Sequence, residues 1–227
     1  MIFQRAFLAA MGLLFALNVN AASGITNDEA GSGLSAAITR SAEFAVAELG
    51  KQNGFLANAK VHIDLPDSLR KAESAARKLG FGRQADELVD AMNHAAEAAV
   101  VEAKPILINS VKKLSFKDAK DILLGEPDAA TQYFKRTNSG ELTAKFLPVV
   151  KKATAKVELA QKYNDFAGKA AKLGLIDDKD ADLDAYVTRK ALDGLFIMVA
   201  EQEKQIRADP IGTGSSILKK VFGSIGK

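Results

Sequence analysis

Aspartates are concentrated in the stretch DDKDADLDAYVTRKALDGLF, which runs from Asp177 to Phe196 and ends in an almost wholly apolar segment. Carboxylates at alternate positions can ligate calcium, so the stretch is a candidate EF-hand loop. Such a loop also needs glycine at its sixth position and glutamate at its twelfth. Counted from Asp178, these positions hold Leu183 and Arg189. The sequence therefore favours a different role for the aspartates.

The same aspartates are typical of a helix N-terminus, where carboxylates accept hydrogen bonds from free backbone N–H groups and complement the helix dipole. We predict that Asp182 caps a helix that runs from Leu183 to Ala208 and ends before Pro210. Between residues 191 and 200, apolar side chains cover nearly all sides of this helix. A helix of this kind is normally surrounded by other helices, so we expect it to be the central one.

Asp193 is the one ionisable residue in the apolar part of this helix. A buried carboxylate requires a partner, and Arg189 and Lys190 lie one helical turn earlier, so we interpret Asp193 as a buried, ion-paired residue. A functional acid at Asp193 is the alternative. Gly194 costs about 1 kcal/mol relative to alanine inside a helix, and we therefore expect a close backbone approach at this position.

The densest cluster of polar and aromatic residues is QYFKRTNSGEL, residues 132–142. We predict that it flanks a turn between two helices. Its functional interpretation is a recognition surface or the rim of a pocket. Tyr133, Arg136 and Thr137, together with Asp193, are the candidate ligand-binding or interaction residues. We favour capping and surface charge over this functional interpretation, because Asn138 and Glu141 have the spacing of a capping box.

Motifs for metal, cofactor or covalent chemistry are weak in this sequence. It contains two histidines and no cysteine, and it lacks a zinc-binding His pair, a nucleophile elbow and a phosphate-binding loop. His94 and Glu97 reverse the Glu-x-x-His order of di-iron bundles, so we interpret them as a solvated helix face. We assign no catalytic, cofactor-binding or metal-binding residue, and we expect no cofactor.

The N-terminal segment has the pattern of a secretory signal peptide. Arg5 precedes an apolar stretch of about 12 residues, too short to span a bilayer, and Val19 and Ala21 suit a cleavage site. We expect cleavage after Ala21 and export to the periplasm, with no transmembrane segment in the mature chain. Without cysteine there is no disulfide framework or lipid-attachment site. The net charge of +3 gives little attraction to nucleic acid, so we expect none as a partner.

Helix-forming residues dominate the rest of the chain. After a flexible leader at residues 22–33, we predict one all-α domain over residues 34–227, a bundle of about seven to eight helices around the central C-terminal helix. Alternating apolar residues at 61, 63 and 65 suggest a short extended piece. The predicted helices cover residues 34–49, 66–79, 84–114 with a bend at Pro105, 115–124 after a Ser115–Asp118 capping box, 129–136, 138–173 with a bend near Pro148, 183–208 and 217–222.

Four stretches together resemble an uncharacterised bacterial family of exported all-helical proteins, defined as a domain of unknown function. They are GFLANAKVHIDLPDSLRKAESAARKLG, DAKDILLGEPDAATQYFKRTNSGELTAKFLPVVKKA, LDAYVTRKALDGLFIMVAEQEKQIRADP and ILKKVFG. The resemblance covers nearly all of the chain after the signal peptide. It implies an all-α fold and export in Gram-negative bacteria, and it supplies no site residues.

Three functions remain open from the sequence. The first is a non-enzymatic periplasmic helical binding or interaction protein, for a small apolar ligand held between helices or for an envelope partner. The second is a hydrolase or lyase that uses carboxylates such as Asp193 with Arg136. The third is weak contact with a membrane surface through the basic C-terminal helix. We favour the first hypothesis.

Overall fold

The computed structural model describes residues 27–69, 73–74, 77–80, 82–158, 160–161, 163–164, 181–213 and 215–225. The regular secondary structure in these ranges is helical throughout, which confirms the all-α fold class. The helices are α1 (Asn27–Gly50), α2 (Gly82–Val100), α3 (Ala103–Val111), α4 (Phe116–Leu124), α5 (Ala129–Thr154), α6 (Leu183–Ala208) and α7 (Ser216–Ile225), with a 3-10 turn at Asp67–Leu69. Within the described ranges, none of the helices has the length and apolar character needed to cross a bilayer.

Helix α6 has the bounds that the sequence predicts and packs against α1, α2 and α5. The Asp182 side chain accepts hydrogen bonds from the backbone N–H groups of Asp184 and Ala185, at 2.9 and 3.1 Å, so the predicted N-cap is confirmed. Leu195 in the middle of the helix is fully buried. Asp178 and Asp180, which belong to the candidate calcium loop, lie outside the described residues.

The segment that follows α1 crosses the middle of α6 at Gly194. A Cβ atom added at Gly194 would lie 2.6 Å from Cε1 of Phe55 and 3.2 Å from Cβ of Val61. The close approach expected at this glycine is therefore present. It is made by a buried aromatic ring and a valine side chain rather than by backbone.

Residues 61–65 alternate in burial as predicted, with Val61, Ile63 and Leu65 buried and Asp64 exposed, but they form no strand. The buried side chain of Asn93 on α2 takes the place of a neighbouring strand. Its Oδ1 accepts from the Ile63 N–H at 2.9 Å, and its Nδ2 donates to the Ile63 carbonyl at 3.0 Å. A side-chain amide thus satisfies backbone groups that would otherwise be buried without partners.

The interpretation of His94 and Glu97 as a solvated helix face is wrong for Glu97, whose exposed fraction is only 5%. The Glu97 carboxylate accepts hydrogen bonds from the backbone N–H groups of Asn53, Phe55 and Leu56 at 3.0–3.2 Å. Its Oε2 also lies 2.7 Å from Nδ1 of the half-exposed His94. Glu97 therefore fixes the turn after α1 to α2, and this is a structural role.

Helix α1 begins at Asn27, so the prediction of a flexible leader is wrong for residues 27–33. The reason is tertiary packing with α7, which lies directly on α1. A Cβ atom added at Gly33 would lie 2.5 Å from Cγ2 of Val221, so a glycine lets the two helices approach closely. The predicted end of α1 at residue 49 is confirmed to within one residue, since the helix ends at Gly50.

The predicted bend at Pro105 is confirmed, although the break lies before the proline. Helix α2 ends at Val100 and α3 begins at Ala103. Proline has no N–H, and in a continuous helix its ring would collide with the carbonyl four residues earlier. The disturbance therefore falls on residues 101–102, and Pro105 itself lies in the first turn of α3, where no intrahelical hydrogen bond from its nitrogen is needed.

The predicted helix boundary at Asn138 is wrong, because α5 runs from Ala129 through Asn138 and Pro148 to Thr154. Asn138 is buried and accepts a hydrogen bond from the Ser110 hydroxyl of α3. Its amide is therefore satisfied by a neighbouring helix and caps nothing. The second predicted capping box is absent for this reason.

Candidate functional site

A surface cleft of about 340 Å³ lies where α4 is joined to α5. Helix α4, the connecting turn and the first two turns of α5 form its walls. The residues that line it are Asp118, Asp121, Ile122, Glu126, Asp128, Ala129, Gln132, Tyr133 and Arg136. Cavities of this volume are in the range that binds small molecules or single side chains of a partner.

The lining of the cleft is strongly acidic, with four carboxylates against the single guanidinium of Arg136. Asp121 lies 3.4 Å from the exposed Lys117, and Asp128 lies 3.9 Å from Lys204. The two lysines offset part of this charge, but both lie outside the lining, in which carboxylates outnumber cations by four to one. The cleft therefore has a negative potential that attracts cationic groups.

Asp118 is held at the start of α4 by the predicted capping box, which is confirmed. The Ser115 hydroxyl donates to its carboxylate at 2.6 Å, and the Asp118 N–H donates to the Ser115 hydroxyl at 3.1 Å. The hydrogen bond from Ser115 lowers the pKa of Asp118 below its ordinary value. Asp118 therefore remains a fixed negative charge at the edge of the cleft.

Tyr133 is the aromatic residue of the cleft. Its ring contacts Phe134 edge-on, with a centroid separation of 5.3 Å, and Cζ of Arg136 lies 5.5 Å from its centroid. Burial and the negative charge of Asp118 raise the pKa of the Tyr133 hydroxyl. The group therefore stays protonated near neutral pH and can donate a hydrogen bond.

The ionisation of Tyr133 provides a direct test of this geometry. We expect the Asp118→Asn variant to ionise Tyr133 at lower pH than the parent, because the negative charge of Asp118 opposes formation of the phenolate. An ultraviolet absorbance titration of both proteins measures this, with Tyr133→Phe identifying the transition. The raised pKa contributes stability below the ordinary tyrosine pKa of about 10 and loses it as pH rises through the folded value. An unchanged titration curve in Asp118→Asn would show that the two groups do not interact.

Two charged residues of α6, the buried Glu203 and the partly buried Arg207, hold the cleft together, and sequence reasoning did not identify them. Glu203 accepts hydrogen bonds from the backbone N–H groups of Ala130 and Thr131 at 3.0 and 2.9 Å and from the Thr131 hydroxyl at 2.8 Å. It therefore caps the N-terminus of α5 in place of Asp128, the residue at the cap position, whose side chain makes no capping hydrogen bond. A carboxylate at a helix N-terminus also complements the helix dipole.

Arg207 performs the matching role at the C-terminus of α4. Its Nη2 donates to the carbonyl of Ile122 at 2.9 Å, and its Nη1 donates to that of Leu123 at 3.3 Å. It also forms a 2.9 Å ion pair with Glu203, one helical turn earlier. The i, i+4 spacing of the two residues was the one signal in the sequence that could have identified this pair. We call Glu203 and Arg207 the α6 clamp, since together they fix both ends of the α4–α5 turn.

The interpretation of Asp193 as a buried residue paired with Arg189 or Lys190 is wrong. The Asp193 side chain is 48% exposed and pairs with Lys135 of α5 at 3.7 Å. Arg189 and Lys190 instead lie over the Tyr186 ring, 5.4 and 5.7 Å from its centroid. On a helical wheel of α6, the residues around Asp193 are apolar. In the structure, however, this position faces solvent beside α5, so the carboxylate needs no buried partner.

The structure brings together two of the four candidate residues, Tyr133 and Arg136, which both line the cleft. Thr137 and Asp193 are not among the lining residues, and the Thr137 hydroxyl donates to the Tyr133 carbonyl at 2.9 Å within α5. Sequence reasoning missed the four carboxylates as a group, because they come from α4 and the following turn. Across the described part of the chain, no cluster of three or more His, Asp or Glu side chains is arranged to hold a metal ion.

In the described part of the chain, these features define an all-helical fold with an acidic, tyrosine-containing cleft at a helix–helix junction. The chain belongs to the family described as "Protein of unknown function (DUF4197)", whose model matches residues 24–223. This match confirms the resemblance to an uncharacterised family. Comparison with curated proteins and with solved structures gave no match.

Proposed function

We propose that this chain is a non-enzymatic helical binding or interaction protein of the periplasm, and that the α4–α5 cleft is its binding site. The helices would form one bundle around α6, whose neighbours are α1, α2 and α5. The observation that carries the proposal is the lining of the cleft, which combines an excess of carboxylates with an aromatic ring and a guanidinium.

The lining favours a positively charged ligand group rather than the apolar ligand expected from the sequence. An ammonium or guanidinium group would be attracted by Asp121, Glu126 and Asp128, which are not held in a capping box as Asp118 is. Tyr133 also lines the cleft, and its hydroxyl oxygen can accept a hydrogen bond from such a group. The source of the cation is a small polyamine or a basic side chain of an envelope partner, and the two differ in the size of the species bound.

Export to the periplasm is part of the proposal and rests on the N-terminal sequence. Residues 1–26 lie outside the described residues. Support comes from the apolar stretch after Arg5 and the small residues at Val19 and Ala21.

A carboxylate-dependent hydrolase or lyase has less support from the geometry. A general acid at neutral pH needs a raised carboxyl pKa, whereas the pKa of Asp118 is lowered. The pair of Asp193 and Arg136 suggested by the sequence does not share the cleft, since Asp193 lies outside its lining. Neither carboxylate therefore has the environment that this chemistry requires.

Membrane contact through the C-terminal helix also has less support. Leu218, Val221 and Phe222 of α7 are buried, and α7 packs on α1. An interfacial helix needs its apolar face free to enter the lipid. In this fold that face is already covered by protein.

Removal of two cleft charges tests the proposed binding site. We expect spermidine or a lysine-rich peptide to bind the mature protein saturably, and the double variant Asp121→Asn, Glu126→Gln to bind the same probe roughly three- to tenfold more weakly. Both side chains are exposed, so the double variant should fold normally. Isothermal titration calorimetry at low salt measures the affinities.

The matched control is the double variant Glu87→Gln, Glu141→Gln, which removes the same charge from exposed positions outside the cleft. It should bind like the parent. Equal weakening in both double variants would mean that only net charge matters, and no saturable binding of either probe would exclude the cationic-ligand proposal.

A further inference from the structure

The C-terminal helix α7 is connected to the cleft through one guanidinium. Phe222 of α7 lies against Arg207, with Cζ of the arginine 5.4 Å from the ring centroid. The N–H groups of the same guanidinium donate to the carbonyls of Ile122 and Leu123 and to the carboxylate of Glu203. Arg207 therefore contacts the tail helix and the end of α4 at the same time.

The contact between Arg207 and the Phe222 ring is largely shielded from solvent. The Arg207 side chain is 14% exposed, so its contact with Phe222 is largely removed from water. A cation–π contact strengthens when it is desolvated. The position of α7 therefore affects how firmly Arg207 is held, and through it how firmly the α4–α5 turn is held.

We propose that α7 is a strap that holds the cleft in shape, so that undocking of α7 from α1 loosens the α4–α5 turn through Arg207 and Glu203. Coupling of this kind is reciprocal, and a ligand that fixes the cleft also favours the docked tail. The inference goes beyond the proposed binding function, because it concerns how one part of the fold controls another.

Helix α7 is suited to dock and undock as a unit. It has 10 residues, and isolated helices of that length are marginal in water. Its order therefore depends on the packing of Leu218 and Val221 against α1. Terminal segments with this dependence are the first to open in local unfolding.

The test displaces α7 without changing a residue of the cleft or the clamp. A Cβ atom at Gly33 would lie 2.5 Å from Cγ2 of Val221, whereas one at Gly31 would meet nothing within 4 Å. Gly33→Ala and Gly31→Ala are the same change on the same helix. Hydrogen exchange of the ligand-free mature protein, resolved to single amides by NMR, is the measurement.

In Gly33→Ala we expect faster amide exchange in α7 and also at Gly125, Ala130 and Thr131. The exchange rates should rise roughly 3- to 30-fold, the factor that corresponds to the loss of one cation–π contact. Gly31→Ala should match the parent at all of these amides. Faster exchange in α7 with parent-like protection at Ala130 and Thr131 would overturn the proposal.

A second pair of variants covers the case in which Gly33→Ala does not fold or leaves α7 in place. Phe222→Leu keeps an apolar side chain at this position but removes the ring, and Phe222→Tyr keeps the ring. The leucine variant should exchange faster than the parent at the amides of Ala130 and Thr131, and the tyrosine variant should exchange at the parent rate. Equal protection of these amides in the two variants would overturn the proposed coupling between α7 and the cleft. Because no ligand is present in the experiment, that result would not bear on the proposed binding function.

Discussion

Replacing Glu203 by glutamine should lower the free energy of unfolding by about 3–5 kcal/mol, the cost of breaking a buried ion pair from one side. Glu203 is 5% exposed and receives three hydrogen bonds from the start of α5 as well as the ion pair from Arg207. Glutamine has nearly the same shape as glutamate, but it places an NH₂ group, itself a donor, against these N–H donors. The positive charge of Arg207 also loses the negative charge of its ion-pair partner. Urea titration of the variant and the parent measures the change.

Asp193→Asn is the matched control, because it makes the same carboxylate-to-amide change on the same helix. Asp193 is half exposed, and its 3.7 Å contact with Lys135 is a surface ion pair. Its loss should cost at most about 1 kcal/mol. A Glu203→Gln shift as small as that of Asp193→Asn would mean that the α6 clamp does not hold the α4–α5 turn.

Leu195→Ala should cost about 2–5 kcal/mol, because the lost methyl groups leave a cavity among the buried side chains around α6. Leu195 is 0% exposed on a helix that packs against three others. Ile197→Ala is the control, since Ile197 lies two residues later on the same helix and is 41% exposed. We expect it to cost about 1 kcal/mol or less. Equal effects in the two variants, again by urea titration, would contradict the placement of α6 in the core.

Features encoded by neighbouring residues were predictable from the sequence. The N-cap at Asp182 and the stop before Pro210 are local signals, and α6 has the predicted bounds. The same is true of the capping box at Ser115 and Asp118. Caps and helical periodicity depend on residues within one or two turns, so a single sequence contains all the information needed.

Features that depend on distant residues were not predictable. Asn138 and Glu141 match a capping box, but the packing of Asn138 on Ser110, 28 positions earlier, keeps α5 continuous. The sequence favours a solvated Glu97, since nothing near it in sequence indicates that its hydrogen-bond donors are backbone N–H groups more than 40 positions earlier. Asp193 was interpreted as buried because a helical wheel shows which residues share a face, but it does not show which face meets solvent.

The candidate site was predictable in part. Tyr133 and Arg136 were selected from a local polar and aromatic cluster, and both line the cleft. The acidic wall and the α6 clamp were missed because Glu203 reaches Ala130 across 73 positions of sequence. The sequence of α6 alone does not show that Glu203 caps the start of α5 and that Arg207 caps the end of α4, because only the tertiary fold brings these helix ends together.

Native mass spectrometry of the protein isolated from the cells that express it tests the central claim most directly. The parent is expected to carry a bound cationic species that the double variant Asp121→Asn, Glu126→Gln has lost and the double variant Glu87→Gln, Glu141→Gln has kept. The mass of the adduct would distinguish a polyamine from a protein partner. A spectrum in which all three proteins show only the mass of the bare chain, or in which all three keep the same adduct, would contradict the assignment of the α4–α5 cleft as the binding site.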